Sequence, residues 1–508
     1  MDAANQLSSV ANDLQSCEQE PLQFIGSIQS IGGLIAFTIE DRRIQAASEN
    51  IEKFLAVRHQ DVVSSKLDHI FDPVLADRAV ALIKDLTLTR NRANFIFERE
   101  GQRFDGAVFV TDGLAFLEFE PHTVDQDVSD IVNQALVELR TETRLQDLAT
   151  RVCQAVFRIT GMDRVMMYRF LPPHEHGEVI AEHRVLSAQS YNRHRFPASD
   201  IPRIARDLYL RNQVRHIPNI DLPTSRILPA QNPITGEAIN LSDSRLRAVS
   251  PVHLEYMRNM NVACSFSVAV IVERRLWALI TCHHLTEKRI PAAQRTACEI
   301  IANAFAGQAR LLEESELSSR KVLFLSKLNS IFEGILLSDK ADDGLLRRHQ
   351  LMFEAFRATG VAVVKGDHVD YAGLCPPRTD LTGYAKAFLR IMNEENVDVI
   401  SSDSIREDFP DLPQEARLAC GTLATKISDD VVTFLFRTEF VDTIIWGGDP
   451  RKQLDRANLN GRINPRKSFA AWEEKIRGRA LPWEDYEIEG FRRLKDLIFE
   501  KMQRSKAP

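Results

Sequence analysis

Between residues 20 and 120 short apolar runs alternate with polar turns. Gly33-Leu34-Ile35-Ala36-Phe37 and Ala107-Val108-Phe109-Val110 read as strands, and the stretch from Val74 to Leu86 as a helix, so an α+β module is predicted there. From Val128 to Phe157 apolar residues recur at helical spacing, and Arg164 to Phe170 then turns strand-like, which opens a second module. Its later strands are the β-branched and aromatic runs Cys264 to Val272 and Leu276 to Cys282, joined by the charged turn Glu273-Arg274-Arg275 as a hairpin would be. No proline occurs from Ala292 to Ser338. The stripe Ile301, Phe305, Leu312, continued by Val322, Leu325 and Leu328, predicts one very long helix or two in tandem. A third α+β region follows from Leu345 to Pro482. Within it Asp449 to Lys467 has too few apolar residues for a core and reads as an extension. Past Pro482 a last helix carries Phe491, Leu494, Ile498 and Met502 on one face, and patterning leaves open whether that face packs on its own domain or serves a dimer or output link.

Length agrees with this division, since 508 residues at roughly 150 per domain give about three. The 64 basic and 71 acidic side chains leave a net charge of −7, which gives no support to nucleic acid as main partner. The longest nearly uncharged apolar run, Val262 to Val272, is far short of the roughly 20 residues of a spanning helix. The first twenty residues lack a basic head and an apolar signal region, so a soluble cytoplasmic chain without a membrane partner is expected. Seven scattered cysteines without a CxxC pair argue against a disulfide framework. Metal is not expected either. Cys282, His283 and His284 are adjacent on a strand and point to alternate faces, and His174 and His176 lack the HExxH spacing.

Four segments place polar groups where they are costly. Cys17 stands in Cys17-Glu18-Gln19-Glu20-Pro21, as an inert thiol or an attachment point. In Phe196-Pro197-Ala198-Ser199-Asp200-Ile201-Pro202 the flanking prolines hold a carboxylate in a rigid loop, although a plain turn would look the same. Pro251 can start a helix on which His253 and Tyr256 share a face at i, i+3, with a satisfied core histidine as the plainer reading. Ser265 and Ser267 set two hydroxyls on one strand face, beside a partner strand ending at His283. Such a lining suits a polar ligand, and a sheet edge would tolerate it too.

Together these segments resemble the bacterial phytochromes over nearly the whole chain, in the order PAS, GAF, PHY. The resemblance rests on Cys17 to Pro21 with Ile28-Gln29-Ser30-Ile31-Gly32, Pro197 to Pro202, Ser250 to Tyr256, Leu276 to His284, and the tongue arms Trp446-Gly447-Gly448-Asp449-Pro450 and Pro465-Arg466-Lys467-Ser468-Phe469. It implies an α+β fold of three sensor domains, each with a central antiparallel sheet, joined by long helices. The boundaries expected are an N-terminal segment 1–19 with the chromophore cysteine, PAS 20–125, GAF 126–310 and PHY 311–508, with a tongue at about 435–482 and a C-terminal output helix.

The function implied is a red/far-red photoreceptor, not itself an enzyme, holding biliverdin. Plant and cyanobacterial relatives attach their bilin just before the pocket histidine, where this chain has Val252, so attachment falls to Cys17 as a thioether. By the same resemblance Arg215 and Arg247, with Ser265, Ser267 and Tyr209, receive the two propionates. Tyr168, Phe196, Tyr256 and Met166 wall the D ring, and His283 hydrogen-bonds its carbonyl. Asp200, Ile201 beside it, and His253 surround the pyrrole nitrogens. Light isomerises the bond between the C and D rings, and the tongue exchanges an Arg466–Asp200 pair for one through Ser468 as it refolds from hairpin towards helix. A homodimer signalling to an output domain or partner is expected; no kinase or cyclase module follows Pro508, so either the chain is a photosensory fragment of a longer protein or output is exerted through a partner. The alternative is a GAF-type sensor of a cyclic nucleotide or other small ligand. Two departures stand out: Ser30-Ile31 where many relatives have Pro-His, and Gly447 where alanine is frequent, which suggests altered tongue flexibility.

Overall fold

The computed structural model describes residues 20–87, 91–123, 127–173, 175–338, 348–412, 418–450 and 466–504. Cys17, His174 and most of the polar extension after Asp449 lie outside the described residues. The chain divides into two compact units, one of residues 1–312 with 445–472 and one of 313–444 with 473–508.

The first unit begins with strands β1 (Ser27–Gln29), β2 (Gly33–Phe37), β3 (Ile44–Ser48), β4 (Arg92–Arg99), β5 (Gln102–Thr111) and β6 (Leu114–Pro121). Over this sheet lies helix Pro73–Lys84. It starts where Asp72 accepts the Leu75 N–H at 3.0 Å and Pro73 supplies a preset φ at the first helical position. Its apolar face, Leu75, Ala76, Ala79, Val80 and Ile83, packs with Phe95, Phe97, Phe104 and Phe119.

Strands β7 (Arg164–Leu171), β8 (His176–Arg184), β9 (His194–Phe196), β10 (Val214–Ile217), β11 (Thr224–Leu228), β12 (Cys264–Val272) and β13 (Arg275–His284) follow. β11 leaves the middle module and inserts between β1 and β3. The entering chain is thereby held by the 216–248 segment: Gln29 donates to the His216 carbonyl at 3.0 Å, and the Ala248 and Leu241 N–H groups donate to the Ser27 and Gln23 carbonyls at 2.9 and 2.8 Å. The remaining strands run β10-β12-β13-β7-β8-β9. The β12–β13 hairpin turns at Glu273 and Arg274, both at positive φ (51° and 63°), the conformation whose twist suits a two-residue hairpin loop.

Helices Ser129–Thr141 and Leu145–Thr160 and the first turns of the 45-residue helix Ala292–Leu336 cover one face of this sheet. The long helix is a single element, but its stripe differs from the sequence expectation. Ile301 and Phe305 are buried, whereas Val322 and Leu325 are 65% and 45% exposed, and the buried line is Phe324, Leu328, Ile331 and Ile335. The last four are spaced 4, 3, 4, as one helix face requires. Val322 and Leu325 continue the earlier stripe only if it drifts round the helix.

In the second unit a five-stranded antiparallel sheet has helices on both faces. Its strands are β14 (Gly360–Lys365), β15 (His368–Gly373), β16 (Val399–Ser402), β17 (Gly421–Ser428) and β18 (Val431–Arg437), in the order β15-β14-β18-β17-β16. Ala362, Val364, Phe434 and Phe436 face helix Arg378–Glu395, while Val361, Val363, Leu423 and Leu435 face Phe324, Leu328, Phe491, Leu494 and Ile498. The C-terminal stripe therefore packs on its own domain. Strands β19 (Asp442–Gly447) and β20 (Ala471–Ile476) flank the extension. Of β19, Ile445 and Trp446 pair in parallel with His194 and Arg195 of β9.

Candidate functional site

Strand alternation gives the middle sheet two unlike faces. Cys264, Phe266, Val268, Val270 and Cys282 point into the dry core under the helices. The residues between them point the other way, and antiparallel register lines them up in rows. Arg215 is opposite Ser267, Ser267 opposite Thr281, and Thr281 opposite Met166. One step along, Ser265 is opposite His283, and His283 is opposite Arg164. A third row runs through Ala269, Leu279 and Tyr168.

Two helices and a turn close over this face. Helix Arg203–Arg211 brings Tyr209, which hydrogen-bonds Ser267. Helix Pro251–Asn259 is capped by Ser250, whose hydroxyl accepts the Val252 N–H at 3.2 Å, and it holds His253 and Tyr256 nearly parallel with ring centroids 6.1 Å apart. The single turn Ala198–Asp200, followed by Ile201, presents Asp200 to the Tyr256 hydroxyl, which donates to it at 2.9 Å. Tyr168, Phe196, Tyr191, Met166 and Phe469 form a buried apolar cluster at one end, with Ile201, Tyr209 and Tyr256 against it.

Exposure and electrostatics taken together point to a hollow between this sheet face and the helices over it. His253 is an exposed residue, yet burial pulls its imidazole down to about 4, and both hold when the ring borders an enclosed space rather than bulk water. Burial also pulls His283 well below the ordinary histidine range, and both rings are neutral at pH 7. Two arginines face the same space. Arg215 is pulled down to about 10 by burial, and its Nη2 donates to the carbonyls of Arg247 and Ala248 at 2.5 and 2.9 Å. Arg247 is pulled down to about 9, first by burial and then by Arg215, and no described side chain forms an ion pair or hydrogen bond with its guanidinium. A shielded cation without a counter-anion is costly in a finished core and useful for a carboxylate ligand. Thr281 Oγ1, in the same row, is likewise buried without a hydrogen-bond partner.

Arg466 closes the hollow from the extension. Its Nε lies 3.5 Å from Asp200 Oδ2, with the two side chains 4% and 2% exposed, and its Nη1 donates to the Gly447 carbonyl at 2.6 Å. Asn259 donates to its main-chain carbonyl at 2.9 Å. Glycine is needed at 448, where φ is +94° and a Cβ would stand 2.2 Å from the Ser468 carbonyl oxygen. A Cβ on Gly447 would meet the Phe196 ring at 2.4 Å, so this departure allows the tongue arm to pack close against Phe196. Ser468 is exposed and its hydroxyl takes the Ala470 N–H, while Phe469 is buried edge-on to Tyr256 at 4.9 Å.

The structure thus places Met166, Tyr168, Ser265, Ser267, Arg215 and His283 on one face of the middle sheet, with Phe196, Asp200, Ile201, Tyr209, Arg247, His253, Tyr256 and Arg466 on the segments beside that face. Cys264 points into the core, donates to the Lys288 carbonyl and is pushed up to about 12 by burial, as packing requires. His284 leaves the site to pair with Asp163 at 2.8 Å, and no three possible metal ligands converge among the described residues. Sequence reading missed Thr281, Arg164, Tyr191 and Phe469. Thr281 lies two residues before His283 and was within reach of the alternation argument; the other three need the register or a distant segment. A separate open cleft of about 250 Å3, lined by Gln23, Ile204, Asp207, Arg211, Asn240 and Ser242 among others, contains none of these residues. No helix among the described residues is long and apolar enough to cross a membrane.

Comparison with known proteins matches three family models in sequence: "PAS fold" at residues 17–122, "GAF domain" at 144–311 and "Phytochrome region" at 327–507. The chain is similar to the bacteriophytochrome of Xanthomonas campestris pv. campestris, at 30% identity over 97% of this chain and 79% of that protein. It is 32% identical to the bacteriophytochrome of Pseudomonas aeruginosa over 94% of this chain and 65% of that one. With cyanobacterial phytochrome A of a Nostoc species the figures are 30%, 96% and 65%, so the chain spans about two thirds of the length of these last two relatives. Among solved structures, a bacteriophytochrome of the photosynthetic bacterium R. palustris superposes with a TM-score of 0.84 at 30% identity, covering 97% of this chain and all of that one. The phytochrome photosensory core module of Stigmatella aurantiaca gives 0.80 at 30% identity, covering 96% and 98%.

Proposed function

The chain belongs to the phytochrome family, and on that premise we propose that it is the light-sensing part of a bacterial red/far-red photoreceptor, holding biliverdin in the hollow of its GAF domain through a thioether to Cys17. The observation that carries this reading is one sheet face on which Arg215, Ser265, Ser267, Thr281 and His283 stand in register, beside Arg247, whose guanidinium has no ion-pair partner among the described residues. Biliverdin supplies light-driven isomerisation of a double bond between its last two rings. Its two carboxylates answer to Arg247 first and Arg215 second, with Ser265, Ser267 and Tyr209 as neutral donors. Its conjugated rings need an apolar wall of the kind Tyr168, Phe196, Tyr256 and Met166 form.

The chain's own residues do the rest. His283 offers a donor, and Asp200 with its main chain and His253 offer acceptors facing the pyrrole nitrogens. Arg466 holds Asp200 and shuts out water in the hairpin form of the tongue, and Ser468, now outside, is the residue to replace it when the tongue refolds. Such a buried pair contributes little net stability, so its use is to make tongue geometry depend on the pocket. For Cys17, support comes from its neighbour in sequence: Ser250, the cap of the His253 helix, donates to Glu20 at 2.8 Å, and three residues of chain reach at most about 11 Å from there. A homodimer is supported by exposed Ile300, Leu311 and Val322, which recur every three turns along the long helix as one apolar line. The signal passes to an output module on the same polypeptide or on a cytoplasmic partner. A sensor of cyclic nucleotide is not favoured, because it leaves Cys17, the Asp200 loop and the tongue without a joint purpose.

The test is colour. Purified apoprotein mixed with biliverdin in darkness is expected to turn green, absorb red or far-red light, and give a zinc-enhanced fluorescent band on a denaturing gel. Cys17→Ser is expected to remove the band and retain noncovalent colour. A colourless wild-type mixture would overturn the reading.

A further inference from the structure

The hollow contains a buried cation that no carboxylate of a ligand needs. Arg164 opens β7 directly across from His283 on β13, so the register sets the two side chains side by side. Its Nη1 donates to the Gln189 carbonyl at 2.6 Å, and its guanidinium lies 4.4 Å from the centre of the Tyr191 ring, which fixes the plane of the group from two directions. Its Nη2 lies 2.8 Å from His283 Nδ1.

The chemistry of that contact has one solution. A guanidinium has five donors and no acceptor, so the imidazole nitrogen it meets must be the one carrying a lone pair. A neutral imidazole that accepts at Nδ1 carries its proton at Nε2. No described residue accepts from Nε2, and the register sets His283 on the sheet face that carries Ser265 and Ser267. We propose that Arg164 is a positioning residue that locks His283 in the Nε2–H tautomer, so that this point of the pocket can only donate and selects a carbonyl oxygen on the ligand. Burial and the Arg164 charge both disfavour a second proton on the ring, which keeps the donor neutral and its direction single. Without Arg164 the ring could take its proton on either nitrogen, and one of the two forms would turn a lone pair towards the ligand carbonyl.

This inference rests on the bilin reading for the identity of the ligand and stands apart from it for the tautomer. The test uses the full chain without pigment, 15N-labelled at histidine, with long-range proton–nitrogen spectra assigning His283. Wild type is expected to show an unprotonated Nδ1 and a protonated Nε2. Arg164→Gln, whose amide can accept as well as donate, is expected to give mixed or reversed protonation, and Arg164→Lys, which can only donate, to restore the wild-type pattern. Biliverdin affinity should fall about tenfold in Arg164→Gln and largely recover in Arg164→Lys, the size expected for one mis-set hydrogen bond. A proton on Nδ1 in wild type, or an unchanged pattern in Arg164→Gln, overturns the proposal, and the first of these can be read even if the glutamine variant does not fold. Correct protonation in a wild-type protein that stays colourless with biliverdin would instead overturn the ligand reading and leave the tautomer assignment supported.

Discussion

The two faces of the middle sheet are made by the same strands and obey opposite rules. On one, Cys264, Phe266, Val268 and Cys282 are fully buried in one apolar cluster with helix side chains. On the other, one residue along, Ser265, Ser267, Thr281 and His283 border a hollow with two shielded arginines and an unmatched hydroxyl. A single-residue change of register would exchange them. The difference teaches that stability and chemistry are divided within each strand rather than between domains: the dry face holds the sheet in place so that the other can keep groups that a finished core would not tolerate.

If that division is real, damage to the dry face should dominate. Phe266→Ala empties a fully buried site and is expected to destabilise the apoprotein by about 3–5 kcal/mol in denaturant melts, whereas Ser267→Ala one position along should cost under about 1 kcal/mol. Equal costs would break the comparison.

Acid probes the same face through its one buried imidazole on β10. His216 sits edge-on to Phe266 with ring centroids 6.0 Å apart, donates from Nε2 to the Lys288 carbonyl, and is pulled by burial from 6.5 to about 3. Its folded pKa lies below its unfolded one, so the unfolded chain alone takes a proton between those values. The stability is present above about pH 6.5 and is lost as the pH falls towards 3. Between pH 7 and pH 5 the loss from this residue is about 2 kcal/mol. His216→Gln should flatten that slope in pH-dependent melts, with or without pigment; an unchanged slope would remove His216 as the source.

On the hollow face the proposed function reverses the sign, because it assigns the costly group to the ligand. Arg247→Met removes a shielded cation that has no ion-pair partner among the described residues and is expected to leave apoprotein stability equal or higher, while biliverdin affinity falls at least about tenfold in absorbance titrations. A variant less stable without pigment would mean that Arg247 is a structural residue after all.

Legibility followed the same line. Alternation in Cys264 to Ser267 and the ending of the partner strand at His283 could be read directly, because a strand's period of two needs no tertiary knowledge. The roles of Asp200, Arg247 and Arg466 came through resemblance, since nothing local says that a loop carboxylate and an arginine 266 positions later will meet. Arg164 was missed because its significance lies in cross-strand register, and Phe469 because an aromatic in a polar extension has no periodic context. Val322 and Leu325 continue the apolar stripe in sequence and are nevertheless exposed, because apolar content alone does not record how a helix face drifts over 45 residues.

The smallest expected effect belongs to the closure of the hollow. Arg466 reaches Asp200 at 3.5 Å through Nε, yet both Nε and Nη2 are buried without a hydrogen bond, so the pair is poorly matched as a stabilising contact. That fits the proposed role of a contact that breaks when the tongue refolds. A latch made of two well-paired groups would hold one tongue geometry too firmly to respond to the pocket, and one with no charge would not sense it. Arg466→Ala is therefore expected to leave the Cys17-dependent fluorescent band intact and to change the thermal reversion rate after illumination about threefold or more, because the altered energy difference between tongue forms is of the order of a single weak pair. The measurement is absorbance decay in darkness after red or far-red light. Spectra and decay identical to wild type would mean that the pair only fills space, and the hollow face would then be a binding site without a built-in connection to the tongue.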